Sequence, residues 1–419
     1  MSLQGTGNVF LTDDIIINEA LRLLKNNIIA GRFVNRIPER YFGAIGDTLS
    51  VKKPFRVKSA AGRTLVKQPM VDQTVAFKVN RQQHVGLEFT VNDRSLSLKE
   101  FSSRYLNSAV VQLAHAYDLS IWQCAHDTVF NSAGTPGQGT KYETIVRARA
   151  QAALLGWPMD GETRIGLNPI DAAEHRIKLA TTAADDLVKT SIEQAYLGRV
   201  SGVPLFETAQ MPTHTVGVAT GTPLVNGASQ SGASLVTDGW TSSTTGILKK
   251  GDVFTIANVF SINPQTYQST GQLQQFVVLA DANSGASTGP ATLSISPAIN
   301  DGTLTTTDAD GNTVSLAAYQ NVTALPADNA AITVLGTGGT VYRQNFMLHK
   351  DAISVANVEL VLPETAPKAK RVRDDESGLS IAMTGQYDIT TYKETYRLDI
   401  LWGVANLYPE LSYRVYGTA

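Results

Sequence analysis

THTVGVATGTPLVNGASQSGASLVTDGWTSSTTGILKKGDVFTIANVF, residues 213–260, sets a texture that holds to Thr340: no arginine, few charges, and Thr, Gly, Ser and Ala punctuating short apolar runs. The flanks differ in kind, being rich in Lys, Arg and Glu with mixed helical and strand patterning. Such a break predicts a separately folding β-rich module, residues 213–340, inserted into a discontinuous α+β host.

With 419 residues, 43% apolar and 17% charged, the chain can bury one large core or two ordinary ones. Its formal net charge of −2 gives no electrostatic drive toward nucleic acid or an acidic membrane. Cys124 is the sole cysteine, which excludes an intrachain disulfide framework and a zinc site of several thiolates, and fits a reducing compartment. No basic stretch leads into an apolar h-region at the N-terminus, and no apolar run approaches the ~20 residues that span a bilayer. A soluble chain without a secretory signal is expected.

Ile17, Ala20, Leu21, Leu24 and Ile28 follow Asp13 and Asp14 at helical spacing. They predict an amphipathic helix in an N-terminal arm, residues 1–46, whose stretch Gly31 to Gly46 is too irregular for core. Residues 47–95 alternate apolar and polar, with Val51, Phe55, Val57, Val75, Phe77, Val79, Leu87 and Phe89, and Ser59-Ala-Ala-Gly62 supplies the turn of a long hairpin. Lys52, Lys53, Arg56, Lys58, Arg63 and Lys67 make this hairpin basic, with few acids nearby. These six are candidate intersubunit contacts that dock on an acidic surface of a neighbour; the alternative is a solvated basic surface.

Ser97-Leu-Lys-Glu100 is a capping box that opens a helix roughly 50 Å long at 1.5 Å per residue. Its apolar stripe, Leu98, Phe101, Tyr105, Leu113, Tyr117, Ile121 and Cys124, makes residues 96–140 a spine. A second capping box, Thr140-Lys-Tyr-Glu143, and Asn168-Pro169 start two further helices of an α/β segment, 141–212, which has a strand at Thr163 to Leu167 and a third helix ending near Gly198. After the module, residues 341–419 return as strands. Ile353, Val355, Val358, Leu360 and Leu362 suggest one, followed by a polar loop, Pro363 to Arg373, whose Lys368, Lys370, Arg371 and Arg373 face Asp374, Asp375 and Glu376. Tyr396, Leu398, Ile400, Trp402 and Val404 alternate strictly, and a turn joins them to Leu411, Tyr413 and Val415 in a terminal hairpin.

This order of elements resembles the major coat proteins of short-tailed double-stranded DNA bacteriophages, the family typified by the coat protein of the Salmonella short-tailed phage. Three segments look similar as well: Thr244-Thr-Gly-Ile-Leu-Lys-Lys250-Gly-Asp252, Leu167-Asn-Pro169-Ile-Asp171, and Leu398 to Ala405. The resemblance covers nearly the whole chain and implies the Hong Kong-97-like (Johnson) viral capsid fold. Its parts would be an N-arm, an extended hairpin loop, a spine helix with a peripheral domain, an axial domain, and a telokin-like, six-stranded barrel-like inserted domain on the outer surface. It also implies a virion protein assembled in the host cytoplasm from copies of itself in hexamers and pentamers. The implied partners are a scaffolding protein in trans, a portal protein, packaged double-stranded DNA bound without sequence specificity, and optionally a decoration protein, with no membrane. In that family a charged loop that bridges capsomers lies shortly before Gly246. This chain has only Thr237-Asp-Gly-Trp-Thr-Ser-Ser-Thr244 there, so the insert is expected to act within its own subunit.

Enzymatic chemistry finds no footing. The six histidines, at 84, 115, 126, 175, 214 and 349, show no His-Glu-x-x-His spacing and read as structural, so neither a metal nor a cofactor is expected. No nucleophile elbow or phosphate-binding loop is present. Lys249-Lys-Gly-Asp252 reads as a turn between strands, and Asp308-Ala-Asp-Gly-Asn312 as a hairpin turn rather than a calcium loop. Cys124 reads as a small buried hydrophobe. The main alternative function, a fibre or adhesin suggested by the Thr/Gly/Ser-rich insert, would show internal repeats, and none is visible.

Overall fold

The computed structural model describes residues 12–37, 48–59, 62–63, 73–90, 98–182, 197–307, 311, 313–363, 368–375 and 377–418. In chain order, helix α1 (Asp13–Asn27) is followed by strands β1 (Asn35–Arg36), β2 (Thr48–Lys52) and β3 (Thr74–Thr90). The spine then runs through α2 (Leu98–Phe101), a π-helical turn (Ser102–Leu106) and α3 (Asn107–Thr128). Next come β4 (Ser132–Ala133), α4 (Tyr142–Leu154), β5 (Thr163–Leu167), α5 (Pro169–Thr182), β6 (Arg199–Val200) and β7 (Val203–Glu207). Strands β8 (Thr213–Thr215), β9 (Gly221–Val225), β10 (Gly232–Trp240), β11 (Val253–Ile262), β12 (Ser269–Val278), β13 (Ala291–Ile299), β14 (Thr305–Thr307), β15 (Thr313–Ser315) and β16 (Ile332–Val334) follow. The chain finishes with β17 (Val341–His349), β18 (Ile353–Asn357), β19 (Lys368–Arg373), β20 (Ser380–Asp388), β21 (Lys393–Asn406) and β22 (Ser412–Tyr416). Two compact units result, one from residues 1–50, 76–121 and 354–405, the other from 51–75, 122–353 and 406–419.

The first unit is built on a sheet ordered β1-β18-β21-β20-β19, with β3 also paired to β21 and β2 to β3. The strict alternation in β21 has a direct use: Tyr396, Leu398, Ile400 and Trp402 are buried, and Trp402 Nε1 donates to Ser120 Oγ on the spine at 2.8 Å. Phe89 stacks on Tyr396 at 5.2 Å and meets Phe101 edge-on at 5.1 Å. Helix α1 buries Ile16, Ile17, Ala20, Leu21 and Leu24. Residues just beyond it are core, contrary to the expectation for the start of the Gly31 to Gly46 stretch: Ala30, Gly31, Phe33 and Val34 are buried. The cause is a polar anchor that patterning does not show. Asp118 on α3 accepts from the backbone N–H of Ile29 at 2.8 Å and of Ala30 at 3.1 Å, satisfying amides a buried turn would otherwise orphan. Burial pushes this carboxyl up to about 6, against the downward pull of those amides and Arg32.

In the second unit a sheet ordered β4-β22-β17-β5-β7-β6 carries β8 on β17. Ile145, Ala148 and Ala152 of α4 pack into its core with Trp157, Ile165, Leu167, Met347, Tyr413 and Val415. Asn168 accepts from Ile170 N–H at 3.1 Å, so Asn and Pro open α5 as expected. Residues 221–334 of the same unit hold a separate sheet, β16-β11-β12-β13-β10-β9, around its own core, which includes Val225, Leu235, Trp240, Phe254, Phe276, Leu293 and Ile295. The chain leaves for this sheet after β8 and returns on β17, and those two strands are hydrogen-bonded partners, Thr213 opposite Arg343 and Thr215 opposite Val341. Both ends of the excursion therefore meet. The short hairpin β14–β15 is present, but most of its turn lies outside the described residues.

Three further expectations change. The terminal hairpin does not form: β22 pairs with β17 and β4, because Leu407 and Tyr408 both donate to Ala352 O and a 3-10 turn, Pro409–Leu411, redirects the chain to the other sheet. The polar loop ending at Arg373 contains an edge strand, β19, whose cations are matched: Lys368 to Glu394 at 2.6 Å, Lys370 to Asp14 at 3.2 Å and Arg371 to Glu359 at 3.0 Å. Charge at a sheet edge is a protective device as well as a loop signature. Thr140 does not cap α4, whose N-cap is Lys141; its hydroxyl donates to Tyr416 O at 3.1 Å and accepts from Asn345 Nδ2 at 2.7 Å. Ser97 of the first capping box, Ala60 and Ala61 of the hairpin turn, and residues 183–196 before Gly198 lie outside the described residues. Replacing Asp118 with Ala, which strands two buried amides, is expected to lower stability by roughly 2–4 kcal/mol in urea unfolding. A loss below about 1 kcal/mol would show that water reaches those amides.

Candidate functional site

β2 ends at Lys52, and one further backbone bond, Lys53 N–H to Gln73 O at 2.8 Å, continues the pairing before Pro54. Proline has no N–H to offer, so the strand stops there. The segment that follows lies against groups of its own unit. Lys53 Nζ sits 5.2 Å from the Tyr408 ring centroid, Lys58 Nζ 4.6 Å from that of Tyr267, and the Arg56 guanidinium 6.0 Å from that of Tyr319. Arg56 also pairs with Glu410 at 2.9 Å. Burial pushes the Lys53 ammonium below its ordinary value, against the upward pull of Glu410. The Tyr408 phenol is pushed up by burial, then by Glu410 and Asp351.

Between this segment and the three tyrosines lies an open cleft of about 690 Å³, lined also by Trp157, Leu155 and Pro264. Phe55 and Val57 are exposed at its edge. An ion pair whose partners are each about a third exposed contributes about 0.2–1 kcal/mol, and an exposed cation–π contact about 0.5–1 kcal/mol. Each of these contacts is individually weak. Of the six predicted contact residues, the structure brings Lys53, Arg56 and Lys58 onto this surface and leaves Lys52 and Arg63 exposed, while Lys67 lies outside the described residues. Sequence reasoning missed the receiving groups, Tyr267, Tyr319, Tyr408 and Glu410, because they come from three distant segments.

A second cluster ties the inserted sheet to the spine. Arg414 is the one cation in the apolar terminal strand Leu411-Ser-Tyr-Arg-Val-Tyr416, and its side chain is fully buried. Its guanidinium donates to Gly251 O at 2.7 Å and to His126 O at 2.6 Å, and lies 6.0 Å from the Phe346 ring centroid. Beside it, His126 Nε2 meets His214 Nδ1 at 2.8 Å, and His214 Nε2 meets Asp252 Oδ1 at 2.7 Å. Asp252 also accepts from Gly217 N–H at 3.0 Å and Lys249 N–H at 2.6 Å, closing the Lys-Lys-Gly-Asp turn. Asp127 accepts from His126 at 2.8 Å and pairs with Lys250 at 2.7 Å. Burial alone would raise the Asp127 carboxyl, yet hydrogen bonds from His126, Lys250 and Gln123 hold it at about 2. Gly251 has φ +94°, and a Cβ there would strike the His126 ring. The turn needs glycine for both reasons.

No group of three or more His, Cys, Asp or Glu among the described residues could hold a metal ion, and no described helix is long and apolar enough to cross a membrane. The family described as P22 coat protein - gene protein 5 matches residues 13–415. A solved chain of Mycobacterium phage Che8 is 10% identical with a TM-score of 0.43 over 93% of this chain and 90% of that one. The asymmetric unit of the bacteriophage PhiM1 mature capsid is 9% identical with a TM-score of 0.41 over 93% and 86%. The CUS-3 coat protein I-domain is 30% identical over 28% of this chain and 96% of that one, with a TM-score of 0.18. No curated protein sequence matches the chain.

Burial, with the charges of Arg414 and His214, holds His126 down at about 4 against the pull of Asp127. A depressed imidazole contributes stability that is complete above the ordinary value near 6.5 and is lost as pH falls through the folded one. The unfolding midpoint in urea is therefore expected to fall between pH 6.5 and 4, and His126→Gln to flatten that fall; equal slopes in both proteins would contradict it. Gly251→Ala should reduce the yield of folded protein sharply, whereas unchanged yield would mean the turn can shift away from the ring.

Proposed function

We propose, for a chain that belongs to the P22 coat protein family and as a major capsid protein forms an icosahedral shell from copies of itself, that a scaffolding protein supplied in trans directs assembly in the host cytoplasm. The observation that carries this reading is the match over residues 13–415, which spans arm, spine, insert and return strands. The same reading gives the shell a portal protein, packaged double-stranded DNA, hexamers and pentamers, and no enzymatic activity. With a net charge of −2, contact with DNA would be local and indifferent to sequence. A decoration protein remains an optional partner.

Residues 213–340 are read as the inserted domain and 1–46, 47–95, 96–140, 141–212 and 341–419 as arm, extended loop, spine with peripheral part, axial part and return strands. Supporting the insert are its separate core and the pairing of β8, where it begins, with β17, the strand that directly follows it. Its role lies within the subunit: where the family carries a bridging loop, Thr237 and Trp240 are buried, Trp240 Nε1 donating to Thr237 Oγ1 at 2.9 Å and that hydroxyl to Ala291 O at 3.0 Å.

For the basic segment, the individually weak contacts of Lys53, Arg56 and Lys58 support exchange onto a neighbouring copy during assembly. Contacts worth about 1 kcal/mol each become decisive only when many subunits make them together. Charge reversal at Lys52, Lys53 and Arg56 is expected to yield few closed shells when the variant is co-expressed with its scaffold and imaged by electron microscopy; a normal yield of particles would remove the docking role. Deleting residues 213–340 behind a short linker should lower folding yield more than it disturbs contacts between capsomers. Subunits that fold normally without the insert yet fail to close shells would reverse that assignment.

A further inference from the structure

A cavity of about 170 Å³ in the first unit opens between the end of β1, the end of β18 and the turn that joins β19 to β20, with Arg36, Tyr117, Asn357, Arg373, Asp375 and Ser377 among its walls. Backbone hydrogen bonds fix these walls. Arg36 lies opposite Val355 in the β1–β18 pair, and Ile37 N–H donates to Val355 O at 2.9 Å. In the turn, the Asp374 carboxylate accepts from Ser377 N–H at 3.0 Å, and Gly378 N–H donates to Asp374 O at 2.7 Å. The polar side chains of the lining are less well provided for. Asn357 is buried, and neither Nδ2 nor Oδ1 of its amide is hydrogen-bonded. Among the described residues, the Arg36 guanidinium makes no ion pair and the buried Tyr117 side chain makes no hydrogen bond through its hydroxyl. Buried polar groups are ordinarily paired, so a cavity that gathers several unpaired ones calls for a ligand that meets them.

We propose that this cavity is a binding site for a single carboxylate group, anchored on Arg36. The guanidinium presents a planar fork of donors that matches the two oxygens of a carboxylate. Tyr117 adds an O–H: burial pushes its phenol up, against the downward pull of Arg36, so it keeps its proton and donates. Asn357 Nδ2 and the Ser377 hydroxyl are further donors. Acidic groups are scarce, since Asp375 is the one acid in the described lining. Arg373 is turned to Glu359 at 4.0 Å, which leaves the surplus positive charge on Arg36 and suits a monoanion. The volume is close to the ~150 Å³ of a cavity that holds benzene, room for an acetate-sized group and little more. Two sources share this chemistry: a free small acid, and an Asp or Glu side chain of a second copy of this chain.

The test titrates the full-length subunit, labelled with nitrogen-15 in arginine and asparagine, with sodium acetate against sodium chloride at equal ionic strength. The Arg36 Nε–H and Asn357 Nδ2 signals should move together and saturate with a dissociation constant of about 1–10 mM, as suits so small a ligand. Arg36 is exposed and makes no polar contact through its side chain, so Arg36→Gln should fold normally, identify the Arg36 signal by its loss, and abolish the saturable shift at Asn357. Asp375→Asn, which removes the opposing charge, should tighten acetate binding by about 1.5- to 5-fold. Signals that respond no differently to acetate than to chloride, or an unchanged dissociation constant in Arg36→Gln, overturn the proposal. Tighter binding of inorganic phosphate than of acetate overturns the carboxylate assignment. Sedimented shells examined by solid-state NMR separate the two sources. An Arg36 signal already at the acetate-bound position and indifferent to added acetate assigns the site to a side chain of a neighbouring copy, and one that still titrates assigns it to a free acid.

Discussion

A fully buried guanidinium governs the second unit. Taking Arg414 out of water costs several kcal/mol, and the protein answers with carbonyl oxygens from three places: the last turn of the spine, the residue just after it, and the turn at Gly251. Asp127 and Asp252 add favourable charge nearby. Each of these acceptors must arrive for the charge to be tolerated, so the terminal strand, the spine and the insert are committed together. Apolar packing alone would not specify such a meeting, because hydrophobic contact is indifferent to direction.

Seen from that anchor, the insert is less an appendage than a partner in closing its host sheet. It supplies the Gly251 carbonyl, Asp252 and Lys250 to the junction, while its own sheet keeps a complete core. A shell protein gains from this division. The buried junction fixes geometry inside one subunit, while the contacts that Lys53, Arg56 and Lys58 make with Tyr408, Glu410 and Tyr267 are individually weak.

Much of this was legible in the sequence because it rests on local pattern. The alternation from Tyr396 to Val404, the amphipathic stripe of α1, the long spine and the Asn168-Pro169 helix start each encode their structure within a few residues. The Lys-Lys-Gly-Asp turn was read correctly, but not its purpose. What stayed hidden depends on partners far away in the chain. Asp118 anchors residues nearly ninety positions earlier, Thr140 serves a network rather than a cap, and β22 abandons its neighbour β21 for β17. One signal was available: a lone arginine in Leu411-Ser-Tyr-Arg-Val-Tyr416 faces burial wherever that strand packs, and a buried arginine must find acceptors.

The central claim is that Arg414 commits spine, insert turn and terminal strand as one cooperative element. Amide hydrogen exchange on Arg414→Met, which keeps the volume and removes the charge, tests it most directly. The account predicts that residues 124–129, 216–219 and 249–252 lose protection together, while strands β11 to β13 in the insert core retain theirs. Unchanged protection in those three segments, or loss confined to the terminal strand, would contradict it.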